Sequence, residues 1–281
     1  MKCDLCPRKC LVDRKKGEKG ICGQTENLKV ARAALHFWEE PCISGDAGSG
    51  AVFFSGCPLH CVFCQNENIA NGTVGKEISL ERLVDIFLEL QEKRANNINL
   101  VTPGHFVPQI VKALDQARKE GLTLPVVYNT SSYETVDTIK MLEGYVDIYL
   151  PDFKYMSPVL SKKYSHAPDY AEVAKAAIAE MVRQTGKAVF VNGEEDNLIL
   201  SGTIVRHLTL PGCMADSMQI LKYLHETYGD MIYISIMNQF TPLSNLEKYP
   251  ELNRRITDVE YETLVDYAID IGIENGFIQE G

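Results

Sequence analysis

Beyond residue 50 the chain alternates short apolar, β-branched runs with amphipathic stretches, and this alternation is the strongest constraint on its fold. The strand-like runs are Ala51–Gly56, Asn97–Thr102, Leu124–Thr130, Val146–Asp152, Thr203–Leu210 and Met231–Met237. Between them, Ser79 is placed to cap a helix that carries Leu80, Leu83, Val84, Phe87 and Leu90 on one face. Further helices are predicted over 106–119, from about Tyr133, over 169–184, and through Met218, Leu221, Leu224 and Tyr228 to a stop at Gly229. The stretch Ala188–Ser201 reads as a hairpin turning around residues 192–197, and a last helix is expected over 258–271. The pattern predicts a parallel α/β sheet and leaves both a doubly wound sheet and a barrel open. In either, ligands belong at the C-terminal ends of the strands, where the unusual residues lie.

Residues 1–50 are a Cys-rich prelude, too small for a core of its own, so it needs a metal or docking onto the main body. Residues 51–245 form the main body, and 246–281 a helical C-terminal segment. The net charge of −10 argues against a nucleic-acid partner, since the only dense basic run is Arg14, Lys15, Lys16 and Lys19. The sequence holds neither an apolar stretch of bilayer length nor a signal peptide, so no membrane partner is expected and the cytoplasm is the expected compartment.

Nine cysteines then need a reason, because disulfides are rare in that compartment. Seven fall in two groups: Cys3, Cys6, Cys10 and Cys22, then Cys57, Cys61 and Cys64. Grouped thiols read as metal ligands. The second group, C-x3-C-x2-C, follows the first predicted strand. Three thiolates from one loop can hold three irons of a [4Fe-4S] cube and leave the fourth iron open to a small molecule. A zinc knuckle is the competing reading, but it wants paired C-x2-C spacing and a fourth ligand nearby. His60 is the only local candidate and is discounted.

The spacing with Phe63 before the third cysteine is the radical S-adenosylmethionine (SAM) signature. The stretch Gly-Cys-Pro-Leu-His-Cys-Val-Phe-Cys-Gln-Asn resembles the cluster loop of pyruvate formate-lyase activating enzymes. Further matches follow in order: Asn99-Leu-Val-Thr-Pro-Gly-His105, Tyr128-Asn129-Thr130-Ser131-Ser132, Leu150-Pro151-Asp152-Phe153-Lys154, and Arg206-His-Leu-Thr-Leu-Pro-Gly212. The resemblance implies a partial (β/α)6 TIM-like barrel, a [4Fe-4S] cluster on Cys57, Cys61 and Cys64, and reductive cleavage of SAM to a 5′-deoxyadenosyl radical. The implied substrate is a protein or peptide, with activation of a glycyl-radical enzyme as the leading reading. Modification of a peptide or small molecule is the alternative. The implied electron donor is a flavodoxin or ferredoxin. A carrier of electrons without SAM turnover is the reading from another class, and the strand-end motifs count against it.

The resemblance also suggests roles. Phe63 packs against adenine or simply into the loop. Thr102, Pro103 and Gly104 approach the SAM amino group, with His105 joining them or capping the next helix. Asn129, Thr130 and Asp152 resemble oxygen ligands of a monovalent cation, although Asn129 stands where that family has Asp. Lys154 pairs with the SAM carboxylate, Ser131 hydrogen-bonds SAM, and Arg206 reaches SAM or substrate or forms a structural ion pair. Gln65 and Asn238-Gln239 depart from the family's histidine-bearing segments and bear on the substrate. The amino-terminal group, with Trp38-Glu-Glu-Pro, resembles a subgroup of such proteins whose sequences run on past a segment like 276–281, so a truncated C-terminus is expected. For its four cysteines structural zinc is favoured over a second iron–sulfur cluster. Cys42 and Cys213 read as ordinary thiols, with a substrate-facing role open for Cys213.

Overall fold

The six apolar runs become six neighbouring parallel strands of one sheet. In chain order the strands are β1 (Lys29–His36), β2 (Ser49–Phe54), β3 (Lys76–Glu77), β4 (Ile98–Val101), β5 (Val126–Thr130), β6 (Ile148–Pro151), β7 (Val189–Phe190), β8 (Ile199–Leu208), β9 (Tyr233–Met237) and β10 (Gly276–Ile278). The helices are α1 (Pro41–Ser44), α2 (Glu67–Ala70), α3 (Leu80–Glu92), α4 (Val107–Lys119), α5 (Val136–Lys140), α6 (Pro158–Ser165), α7 (Tyr170–Thr185), α8 (Met214–Tyr228) and α9 (Asp258–Asp270). This computed structural model describes residues 2–193, 197–243 and 246–279. The predicted turn around 192–197 and the end of the 276–281 segment fall partly outside them.

The sheet runs β10-β9-β8-β6-β5-β4-β2-β1-β3, with β7 paired to β8. From β2 to β10 the path is parallel, while β1 pairs antiparallel to β2 and to β3. No pairing joins the two ends among the described residues, so the sheet is an open partial barrel. The division at residue 50 does not separate bodies, because β1, from the prelude, extends the main sheet. At the other end β10, from the C-terminal segment, does the same.

Alternation along the strands sorts the core into layers. Val52, Phe54, Ile98, Leu100, Val126 and Tyr128 point outward and pack against α3 and α4. Further round, Val205, Ile234 and Ile236 pack with α7, α8 and α9. The inward positions start with Val127, Ile148, Leu150, Ile204 and Tyr233, which bury Cys42 and Ile43 of α1 as an apolar floor. Above that floor the inward residues turn polar: Asn99, Asn129, Arg206 and Ser235. The helix starts follow their sequence signals. Ser79 accepts from the Arg82 amide, and Thr257 and Glu260 form a capping box on α9. The helix expected from Tyr133 is shorter, starting at Val136 behind a Thr135 cap, because residues 131–134 are spent on a turn at the strand end.

His207 ties β8 to its surroundings. Its Nδ1 donates to the Phe153 carbonyl at 2.8 Å, which leaves Nε2 to accept from the Ser217 hydroxyl at 2.8 Å. Burial pushes this imidazole down to about 4, so it is neutral in the fold. An unfolded histidine takes a proton near pH ~6.5, so stability is complete above that and falls as pH drops toward 4. Urea midpoints measured from pH 7.5 to 4.5 should therefore decline, and His207→Gln should flatten the decline while lowering the midpoint at pH 7.5. Equal slopes in the two proteins would remove His207 as a source of the pH dependence.

Candidate active site

β2 delivers the thiol loop to the C-terminal edge of the sheet. Gly56 adopts φ +92°, and a Cβ there would strike the Cys22 carbonyl and the Gln24 side chain, so the loop begins on a residue that must lack one. Cys57, Cys61 and Cys64 all line one cavity of about 230 Å3. Burial pushes the Cys57 thiol up to about 12, with Cys61 adding to it, and raises Cys64 as well. Cys57 and Cys64 are thus protonated thiols in the free protein, and bound iron would displace the protons. The Ser165 hydroxyl donates to Cys61 Sγ at 2.9 Å. His60 is turned away in the left-handed region (φ +50°), its Nε2 2.8 Å from the Ile21 carbonyl. The donor set is thus three thiols of one loop, which suits a [4Fe-4S] cube with one open iron.

The opposite wall is charged. Asp152, at the end of β6, takes Lys154 Nζ on Oδ2 at 2.6 Å and Arg206 Nε on Oδ1 at 3.1 Å. Burial alone would raise its carboxyl, but Lys154 and Arg206 hold it below the ordinary value. Arg206 also donates to Asn129 Oδ1 at 2.6 Å and to Glu39 Oε2 at 3.0 Å. Glu39 Oε1 accepts from Asn99 and Asn129 at 3.1 and 3.2 Å. The oxygens expected to hold a monovalent cation are therefore engaged otherwise. Those of Asn129 and Asp152 hold a guanidinium, and Thr130 Oγ1 donates to Glu134 and accepts from the Ser132 amide at 3.1 Å. The residues as arranged do not fit that cation, because Arg206 supplies a positive charge at the same place.

Behind this wall the lumen opens into a cavity of about 640 Å3, lined by residues of β1 and of the edge strand β10. Two of its residues were given no role on sequence: Glu39 and Glu40, in the segment after β1. The only signal was the Trp38-Glu-Glu-Pro motif. Glu40 is buried, one side-chain bond runs to Ser235, and its Oε2 has no hydrogen-bond partner. Burial raises its carboxyl, with Arg206 opposing. Three bases, Arg32, Lys154 and Arg206, line this cavity with three carboxyl groups, Asp152, Glu39 and Glu40. At the mouth, Gln65 Nε2 donates to the Gln239 carbonyl at 3.0 Å, so the two departures from the family pattern meet. Gln239 contacts the loop by its backbone, and its side chain accepts from Gln279 at 3.4 Å.

The remaining expected residues divide. Thr102 and Ser131 line the thiol cavity. Thr102 sits at φ +55°, a strained place for a β-branched residue, and gives its amide to the Asn129 carbonyl at 2.9 Å. Pro103 is buried behind it, and Gly104 lies against Glu134, whose carboxyl is pushed by burial up to about 7. His105 neither joins the cavity nor caps α4. Its Nε2 lies 2.7 Å from the Ser55 carbonyl, and burial pushes it down to about 3. Phe63 borders the cavity, but its ring is packed edge-on among Tyr155, Tyr164 and Phe240. Cys213 precedes α8 outside both cavities, and Cys42 belongs to the lumen floor. Among the described residues no group of three or more His, Cys, Asp or Glu side chains is arranged to hold a single metal ion, and this is true of Cys57, Cys61 and Cys64 as much as of Cys3, Cys6, Cys10 and Cys22.

Removing one partner of a buried charge network leaves the others unpaired, at a cost of about 3–5 kcal/mol. Arg206→Met should therefore lower stability by about that amount in urea titrations. A loss below about 1 kcal/mol would show that Asp152 and Glu39 rehydrate without it.

The sequence model of the Radical SAM superfamily matches residues 51–198, which run from within β2 to the residue before β8. An uncharacterized protein of Methanocaldococcus jannaschii is 27% identical over 275 residues, covering 95% of this chain and 74% of that protein. Among solved structures, SuiB of Streptococcus suis bound to SAM aligns at TM-score 0.54 with 14% identity, over 80% of this chain and 48% of its own. HydG, a maturase of the [FeFe]-hydrogenase, aligns at 0.53 with 15% identity, over 80% and 50%. A radical SAM methyltransferase from Sphaerobacter thermophilus aligns at 0.55 with 14% identity, over 82% and 66%. The chain thus spans about half the length of SuiB and HydG, and at these identities the likeness is one of fold. With the family match covering more than half its length and three thiols set at the strand ends, the chain belongs to the radical SAM superfamily.

Proposed function

We propose that this chain cleaves SAM reductively and removes a hydrogen atom from a protein or peptide substrate, with activation of a glycyl-radical enzyme as the specific role. The observation that carries the reading is one cavity walled on one side by Cys57, Cys61 and Cys64 and on the other by Asp152, Lys154 and Arg206. The superfamily implies SAM and a [4Fe-4S] cluster. Cys57, Cys61 and Cys64 would hold that cluster. When bound, it supplies the electron that splits SAM into methionine and a 5′-deoxyadenosyl radical.

The chain's own residues bind and orient. Thr102 and Ser131 border the space for the methionine and ribose portions of SAM. Lys154, anchored on Asp152, is a fixed positive charge for the SAM carboxylate. Arg206 locks Asp152, Asn129 and Glu39 so that this charge does not move. The wider cavity behind them receives the substrate group. Its volume of about 640 Å3 and its lining by β1, β10 and the exposed Trp38 suit a peptide segment. A flavodoxin- or ferredoxin-type protein is the expected electron donor. No helix among the described residues is long and apolar enough to cross a membrane.

Anaerobic reconstitution followed by dithionite and SAM should yield 5′-deoxyadenosine, measured by chromatography, and Cys61→Ala should yield none. A cluster-loaded protein that binds SAM but forms no product even with substrate would sink the proposal. Mixing with a glycyl-radical enzyme should give a glycyl radical signal by electron paramagnetic resonance. Its absence, alongside hydrogen transfer from a peptide or small molecule, would replace the activase role with direct modification. Because Arg206 occupies the cation position, SAM affinity measured by calorimetry should agree within about twofold in potassium, sodium and choline chloride at equal ionic strength. A strong requirement for one metal ion would mean that Arg206 moves aside on binding.

A further inference from the structure

The amino-terminal thiols are gathered tightly against the cluster loop. Hydrogen bonds from the Cys3 amide to the Val12 carbonyl, from Leu11 to Cys3 and from Lys9 to Cys6 fold residues 3–12 into a knuckle. Lys9 and Leu11 both take positive φ to close it, 40° and 52°. Gly20 lets two sulfurs approach, since a Cβ there would meet Cys10 Sγ at 3.0 Å and Cys22 Sγ at 3.6 Å. All four are free thiols, and Cys22 is buried.

This knuckle touches the second thiol set through backbone. The Cys22 carbonyl packs on Gly56, the residue before Cys57. Ile21 accepts from His60, and Arg8 donates to the Pro58 carbonyl at 2.9 Å and to the Ser165 carbonyl at 3.0 Å. Arg14, Thr138 and Gln109 add bonds to residues 5 and 25–26 and to His105, so hydrogen bonds hold the prelude on the body. A tetrahedral zinc site would need the four sulfurs about 2.3 Å from one point, and no such convergence is present. An iron–sulfur cube, with one thiolate per iron, holds its ligands farther apart. The loop of Cys57, Cys61 and Cys64 shares that lack of single-ion convergence.

We propose that Cys3, Cys6, Cys10 and Cys22 hold a second [4Fe-4S] cluster, with every iron capped by a protein thiolate, that relays electrons to the cluster of Cys57, Cys61 and Cys64. When loaded, the second cluster would carry one electron from a reduced ferredoxin- or flavodoxin-type donor to the cluster of Cys57, Cys61 and Cys64, which would supply it to SAM for cleavage of one sulfur–carbon bond into methionine and the 5′-deoxyadenosyl radical. The relay rests on the function proposed above, whereas the metal site does not.

Iron, sulfide and zinc are to be counted in the anaerobically reconstituted wild type, in a Cys61→Ala/Cys64→Ala variant and in a Cys6→Ala/Cys22→Ala variant. About eight irons are expected in the wild type and about four in each variant, with Mössbauer parameters of [4Fe-4S]. The loop variant should keep its four irons whether or not the protein cleaves SAM, and this holds even if the amino-terminal variant folds poorly. Stoichiometric zinc, or a loop variant devoid of iron, would overturn the site. For the relay, reduction of the remaining cluster by photoreduced flavodoxin should slow at least about tenfold relative to dithionite in the amino-terminal variant. An unchanged ratio would overturn the relay and leave a structural cluster.

Discussion

The guanidinium of Arg206 joins β8, β6, β5 and the segment after β1 at a single point, and the site depends on that junction. Its three nitrogens donate to Asp152, Asn129 and Glu39, and a planar fork is suited to serve several acceptors at once. The carboxylates are worth burying only while this cation faces them, because a lone buried charge is costly. Lys154 is positioned through the same network, since its partner Asp152 is pinned from the other side. The strand ends thus present a fixed electrostatic wall to the thiol loop.

The prelude is what makes this arrangement particular. It contributes a strand to the sheet, two apolar residues to the lumen floor and two carboxylates above it. Asn129 stands where a carboxylate is expected, and Glu39, arriving from 90 residues earlier in the chain, restores a negative charge beside it. The local charge balance is kept while its donor changes. The same prelude brackets the thiol loop through residues 8, 21 and 22, so the thiol loop and the lumen are both shaped by a segment outside the alternating body.

Much of the fold was legible because buried parallel strands need unbroken apolar runs and the helices over them need apolar stripes. β1 was missed because Lys29–His36 mixes charged and small residues on a half-exposed edge, which leaves little periodicity to detect. β10, three residues long, carries almost no signal. His105 was misjudged because sequence places it beside the cavity lining but says nothing of the turn that aims it at Ser55 instead. Phe63 was ambiguous for the same reason: its ring packs among three aromatic rings while it still borders the cavity.

By itself the sequence determined the parallel α/β body and the thiol triplet on its first loop, because both are local. Periodicity is written within a dozen residues, and the three donors lie within eight. Only the tertiary structure decided that Glu39 and Glu40 enter the lumen, that Arg206 takes the cation's position, and that the amino-terminal thiols lie against the cluster loop. Those pairings cross from 34 residues of chain, between Cys22 and Gly56, to 167, between Glu39 and Arg206, and no local pattern records which distant partner a charge will meet.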